Sequence, residues 1–95
     1  QENAMALTKE TVVDKIEVLE MGQVQVRTAT RIKEDGTELS SSFHRHVIVP
    51  SVKTDGIWGD TDISGEATNV QAICTAAWTS AVKTAYQTMV DAQTV

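Results

Sequence analysis

The stretch that decides the fold is Val24-Gln-Val-Arg-Thr-Ala-Thr-Arg-Ile-Lys-Glu-Asp-Gly-Thr-Glu-Leu-Ser-Ser-Ser-Phe-His-Arg-His-Val-Ile-Val-Pro50. Its first part alternates with the period of two that belongs to a strand: Val24, Val26, Thr28, Thr30 and Ile32 fall on one side, and Gln25, Arg27, Ala29, Arg31 and Lys33 on the other. Asp35-Gly36 follows, a dipeptide suited to the positive φ of a type I′ turn, so the chain folds back as a hairpin. A two-residue turn predicts Glu34 opposite Thr37, Ile32 opposite Leu39, Thr28 opposite Phe43 and Val24 opposite Val47, which brings the apolar residues of both strands onto one face. Pro50 ends the second of these strands because it has no N–H to give a ladder.

Working outward toward the N-terminus, Thr11 to Val18 keeps the same period and adds a third strand. Two loops can join it to Val24. A Met21-Gly22 turn pairs Leu19 with Val24, whereas a three-residue Glu20-Met21-Gly22 loop pairs Val18 with Val24 and Ile16 with Val26. The second is preferred, because it buries Val12, Ile16 and Val18 and puts Gly22 where a bulge needs a left-handed residue.

Toward the C-terminus, Ser51 to Gly65 reads as a long polar loop. Helical spacing begins after Ser64, the expected N-cap, with Glu66 in the first turn. Val70, Ile73, Cys74, Ala77 and Trp78 form an amphipathic stripe that continues through Ala81, Val82, Ala85 and Met89. This is either one helix of about 27 residues, long for a globular domain, or two helices, with Thr79-Ser80 ending the first and capping the second. The fold class is therefore α+β: a three-stranded antiparallel meander followed by one helix or two short ones. Residues 6–95 read as a single domain, and residues 1–5 as a disordered or tag-derived N-terminus.

Composition narrows the function classes. The chain has 95 residues, a net charge of −5 and a single cysteine, Cys74. An acidic chain repels polyanions, which argues against nucleic acid as a partner. No apolar run reaches the roughly 20 residues of a membrane span, and no signal peptide is legible. A lone cysteine suits a reducing compartment, so a cytoplasmic location is expected. Cys74 itself, on the apolar stripe, is expected to be a buried, reduced thiol.

The candidate binding residues are Arg27, Arg31, His44, His46 and Trp58. In the predicted register Arg27 faces His44 and Arg31 faces Ser40, with Lys15 nearby, which makes a basic strand face fit for an anionic ligand or an acidic protein. The alternative is an ordinary solvated face with Glu17 and Glu38 interspersed. His44 and His46 share a side and resemble half of a zinc site, but no third ligand has a telling spacing. Asp60, Asp62, Ser64 and Gly65 match the first half of an EF-hand loop, yet Gln71 stands where the closing carboxylate belongs. Trp58 either folds back onto the core or is an exposed anchor of the kind enriched at interfaces. Arg45 either snorkels from the apolar face or pairs with Asp14. No nucleophile with an adjacent base can be read, so no catalytic, metal or cofactor residue is assigned and no enzyme is expected.

Three stretches carry a resemblance: Arg27 to Gly36, Ser41 to Pro50 and Val70 to Thr79. They resemble a group of small uncharacterised proteins from tailed phages and marine metagenomic collections, over most of Ala6 to Tyr86. The resemblance implies a phage origin, a virion-assembly or other structural role, and phage structural proteins as partners. Geometry adds self-association. A three-stranded meander has two open edges, and a short helical segment covers one face but hardly both edges as well.

Overall fold

The computed structural model describes residues 7–93. Three long strands, β1 (Leu7–Val18), β2 (Val24–Glu34) and β3 (Thr37–Ile48), form an antiparallel sheet in the order β1-β2-β3. A short hairpin, β4 (Ser51–Thr54) and β5 (Ile57–Asp60), makes a separate two-stranded sheet, and two helices follow, α1 (Thr68–Ala77) and α2 (Ser80–Gln93). The α+β class and the meander are as expected. The N-terminal segment, residues 1–5, lies outside the described residues.

The first hairpin follows the preferred reading. Val18 lies opposite Val24 and Ile16 opposite Val26. The Leu19 N–H donates to the Gln23 carbonyl at 2.8 Å, and Gly22 sits at φ +91°. Gly22 is required twice over, since a Cβ there would stand 2.5 Å from Val82 and 3.2 Å from Pro50. Its carbonyl accepts the indole N–H of Trp78 at 2.6 Å, which ties the turn to the end of α1.

Two bulges change which residues face the helices. Asp14 is the extra residue in β1, so Val13 turns toward the core and Val12 pairs with Ala29 on the outer face, not the buried one as expected. Leu39 is the extra residue in β3, between Glu38 opposite Lys33 and Ser40 opposite Ile32. Beyond it the register differs from the expected one by a residue: Phe43 lies opposite Ala29, His44 opposite Thr28, and Val24 pairs with Ile48 rather than Val47. A one-residue shift exchanges the faces of every side chain that follows. The cause lies at the base, where Ile48 and Pro50 are buried; their parity, not that of Phe43 and Val47, sets the core side of β3.

Val24, Val26, Ile48, Val70, Cys74 and Trp78 form the core, with Val13, Ile16, Ile63, Ala77 and Val82 packed around it. Cys74 is fully buried, as its place on the helix predicts, and burial pushes its thiol above the usual range, with the Glu66 charge adding to the effect. The helical segment is broken. Trp78 leaves helical geometry at ψ 70°, and the Thr79 Oγ1 accepts the Val82 N–H at 3.2 Å as the cap of α2. Ser64 is not the N-cap of α1; that position is Ala67, without a side-chain cap. Instead the Ser64 N–H donates to Asp62 in a local turn, and the Gln71 amide donates to the Glu66 carbonyl.

The segment read as a loop contains the β4–β5 hairpin, turning at Asp55-Gly56 with φ of 52° and 78°. It is held to α2 by the Gln87 amide, which donates to the buried Ser51 hydroxyl, and by contacts of Trp58.

Apart from Ala29, which is buried on the outer face, the core residues of the sheet lie at Val13 or nearer the base. Past them the three strands continue as an arm. The principal extents are 65 × 25 × 24 Å and the radius of gyration is 18.5 Å, against about 12 Å for a compact chain of this length. The accessible surface of 6251 Å² likewise exceeds the roughly 5,400 Å² of a compact protein of this mass.

Candidate functional site

Strand pairing brings Lys15, Arg27 and Arg45 into one row across the outer face, the side away from the helices. Like charges directly opposite one another are unfavourable, so such a row needs counter-charges. Asp14 supplies one. Both its oxygens accept from Arg27, from Nε at 2.9 Å and from Nη2 at 2.8 Å, a bidentate pair made possible because the bulge turns Asp14 toward β2. This hydrogen bonding holds the Asp14 carboxyl below the usual carboxylate range and raises Arg27 in turn. The guanidinium also lies 4.5 Å from the ring centroid of Phe43. Among the described residues Arg45 makes no ion pair, which corrects its expected pairing with Asp14.

Beside this row is a shallow hollow of about 190 Å³, lined by Lys15, Glu17, Gln25, Arg27, Arg45 and Val47 among others. Further along the arm Arg31 approaches Glu10 at 3.6 Å and Glu38 at 3.8 Å, while Lys33 contacts Glu10 at 3.0 Å. The hydrogen bond from Lys33 is the main cause that lowers the Glu10 carboxyl. Leu39, Phe43 and Val47 are 56%, 50% and 55% exposed, so β3 carries large apolar side chains open to solvent.

The five expected binding residues do not converge. Arg27 and Arg31 stand on the outer face. His44 and His46 stand on the helix side, their rings stacked with centroids 6.1 Å apart. His46 Nε2 lies 2.9 Å from Glu66 Oε1, which ties β3 to the segment before α1. Trp58 belongs to a third place, edge-on to Tyr86, its indole N–H donating to Asp91 at 3.2 Å while Lys53 bonds the same carboxylate at 3.0 Å. These bonds, from Lys53 first, lower the Asp91 carboxyl. Trp58 therefore packs back, onto α2 rather than the core.

Among the described residues no group of three His, Cys, Asp or Glu side chains is arranged to hold a metal ion. The EF-hand match dissolves in the same way: Asp60 is bonded to Lys83, and Asp62 to its own turn. No hydroxyl or thiol is hydrogen-bonded to either histidine among the described residues. No helix of the described chain is long and apolar enough to cross a membrane.

Two features escaped the sequence reading. The Lys15–Arg27–Arg45 row depends on the Leu39 bulge, for which the sequence has no signal. The β4–β5 hairpin did have one, since Asp55-Gly56 repeats the dipeptide read correctly at Asp35-Gly36. No protein-family model, curated protein or solved structure matches this chain.

Proposed function

We propose that this chain is a non-enzymatic, self-associating structural protein whose sheet arm is its interaction element. One observation carries the reading. Among the described residues, the distal half of the β1-β2-β3 sheet extends past the helices, with no strand paired to either edge and with Leu7, Leu39 and Phe43 exposed on it. Exposed strand edges are templates for pairing with another chain, and a sheet this thin gains little stability from being long. A protruding arm of this kind suits a component of an assembly, and the resemblance to phage proteins points to a virion. Light scattering tests the proposal: the mass should rise above the 10.3 kDa of one chain as concentration increases to about 100 μM, and a constant 10.3 kDa over that range removes it.

The second reading is a small binding module for an anionic ligand or acidic protein. The row of Lys15, Arg27 and Arg45 beside the hollow favours it, in place of the Arg27, Arg31 and His44 face expected from sequence. Binding that weakens steeply with added salt, by a chain that stays monomeric, distinguishes this reading from the first.

A further inference from the structure

The two edges of the sheet are not equivalent. β1 is interrupted near its middle by the Asp14 bulge and carries exposed charges of both signs at Lys9, Lys15 and Glu17, the usual protection of an edge. β3 is interrupted only near its tip, at Leu39, and pairs without irregularity with β2 from Ser40 to Ile48. It has no proline, and its solvent-exposed side chains include Leu39, Phe43 and Val47. β3 is the edge open to a long partner strand.

We infer that β3 docks a second copy of this chain, as an antiparallel β3–β3 pair about a two-fold axis at Phe43. The inference rests on the self-association reading and names its surface. Only a two-fold perpendicular to the sheet keeps the outer faces of both copies on one side, and it must pass through a residue that faces itself. Centring it on Phe43 pairs almost the whole length of both strands. Phe43 then meets Phe43 of the second copy, Arg45 lies opposite Ser41, and the bulge at Leu39 brings Glu38 opposite Val47.

Charge selects this register over its neighbours. Arg45 becomes the diagonal neighbour of Glu38 in the second copy, within reach of a long side chain, and symmetry makes the contact twice. Both residues are available. Arg45 has no ion pair among the described residues and faces the like charge of Arg27, while Glu38 has only the 3.8 Å approach of Arg31. An axis one outer-face position toward the base, at Arg45, sets two arginines against each other. An axis at Ser41 sets Arg45 past the end of the second copy's β3, opposite its Asp35-Gly36 turn, and leaves His46 to Ile48 unpaired. The aromatic pair at the Phe43 axis adds a contact favoured between strands.

The test is a charge exchange read by sedimentation equilibrium of the full chain. Arg45→Glu and Glu38→Arg should each weaken dimerisation about tenfold, and the double exchange should restore it, since two symmetric cross-strand pairs are reversed and then rebuilt. Mild oxidation of Phe43→Cys should yield a disulfide-linked dimer, because the two Cβ atoms lie within cross-strand distance, whereas Thr11→Cys on β1 should stay unlinked. Circular dichroism matching the parent shows that each variant is folded. If the parent chain associates but the charge exchanges are silent and Phe43→Cys does not cross-link, the β3 surface is wrong and self-association survives through another surface. A parent chain that is monomeric at all concentrations overturns both.

Discussion

The same three strands live in two environments. At the base of the sheet Val24, Val26 and Ile48 are covered by Val70, Cys74 and Trp78 of α1, and the Gly22 turn is clamped by Pro50, Val82 and the Trp78 indole. In the arm, the corresponding positions are Thr30, Ile32, Ser40 and Ser42, of which the first two are half-buried and the serines exposed, and none belongs to the core. Backbone pairing is equally regular in both regions, so hydrogen bonding does not separate them; apolar burial does. The base is where the monomer buries its apolar core, and the arm is where the proposed self-association would add contacts.

That contrast is broken most severely by Gly22→Ala. The added methyl meets Val82 and Pro50, and φ of +91° is strained for any residue with a Cβ. Together these should destabilise the chain by about 2–4 kcal/mol, seen as a fall in the urea midpoint. Trp78→Phe comes next. It keeps most of the ring but leaves the buried Gly22 carbonyl without its donor, and about 1–3 kcal/mol should be lost. If this variant unfolds at the parent's midpoint, the clamp contributes nothing and the base is held by packing alone.

Phe43→Ala belongs to the arm and should behave oppositely. Its ring is half exposed and its one aromatic–cation contact is to Arg27, so the monomer should lose under about 1 kcal/mol while association weakens measurably. A loss as large as that of Gly22→Ala would mean that Phe43 is part of the monomer's core.

The smallest effect is that of acid. Asp14 and Glu10 have carboxyls lowered by Arg27 and Lys33, so their stabilisation is complete above the ordinary carboxylate value of about 4 and disappears as pH falls through their folded values. The Glu10–Lys33 pair lies in the arm, where little apolar burial backs it, whereas the Asp14–Arg27 pair lies on the outer face beside the buried Val26. Amide protection in the arm, taken relative to the intrinsic rate at each pH, should therefore fall below about pH 4 before protection at Val24 and Val26 does, with the effect reduced by salt. Protection lost first at the base would place the acid-labile contacts there instead.

How far the sequence could be read follows the same division. Where one face is buried, alternation and turn chemistry were enough for the Gly22 loop, the Val18–Val24 and Ile16–Val26 pairs and the Cys74 stripe, while the break at Thr79-Ser80 was one of two readings left open. In β3 the pattern misled, because Phe43 and Val47 alternate as if buried although the core selects Ile48 and Pro50. A bulge costs little where neither face is covered, so the arm carries Leu39 out of register without any cue in the residues. The binding face read from Arg27 and His44 failed for that reason alone. Ser51 to Asp60 was legible but short, and four-residue strands show too little alternation to stand out from a polar loop.

The claim that the arm is the association surface is tested most directly by amide hydrogen exchange followed by mass spectrometry at about 1 μM and about 100 μM protein. Thr37 to Ile48 should gain protection at the higher concentration, while peptides covering Val24 to Val26 and α1 exchange alike at both. Equal exchange along β3 at the two concentrations, or protection gained at the base instead, would contradict the account.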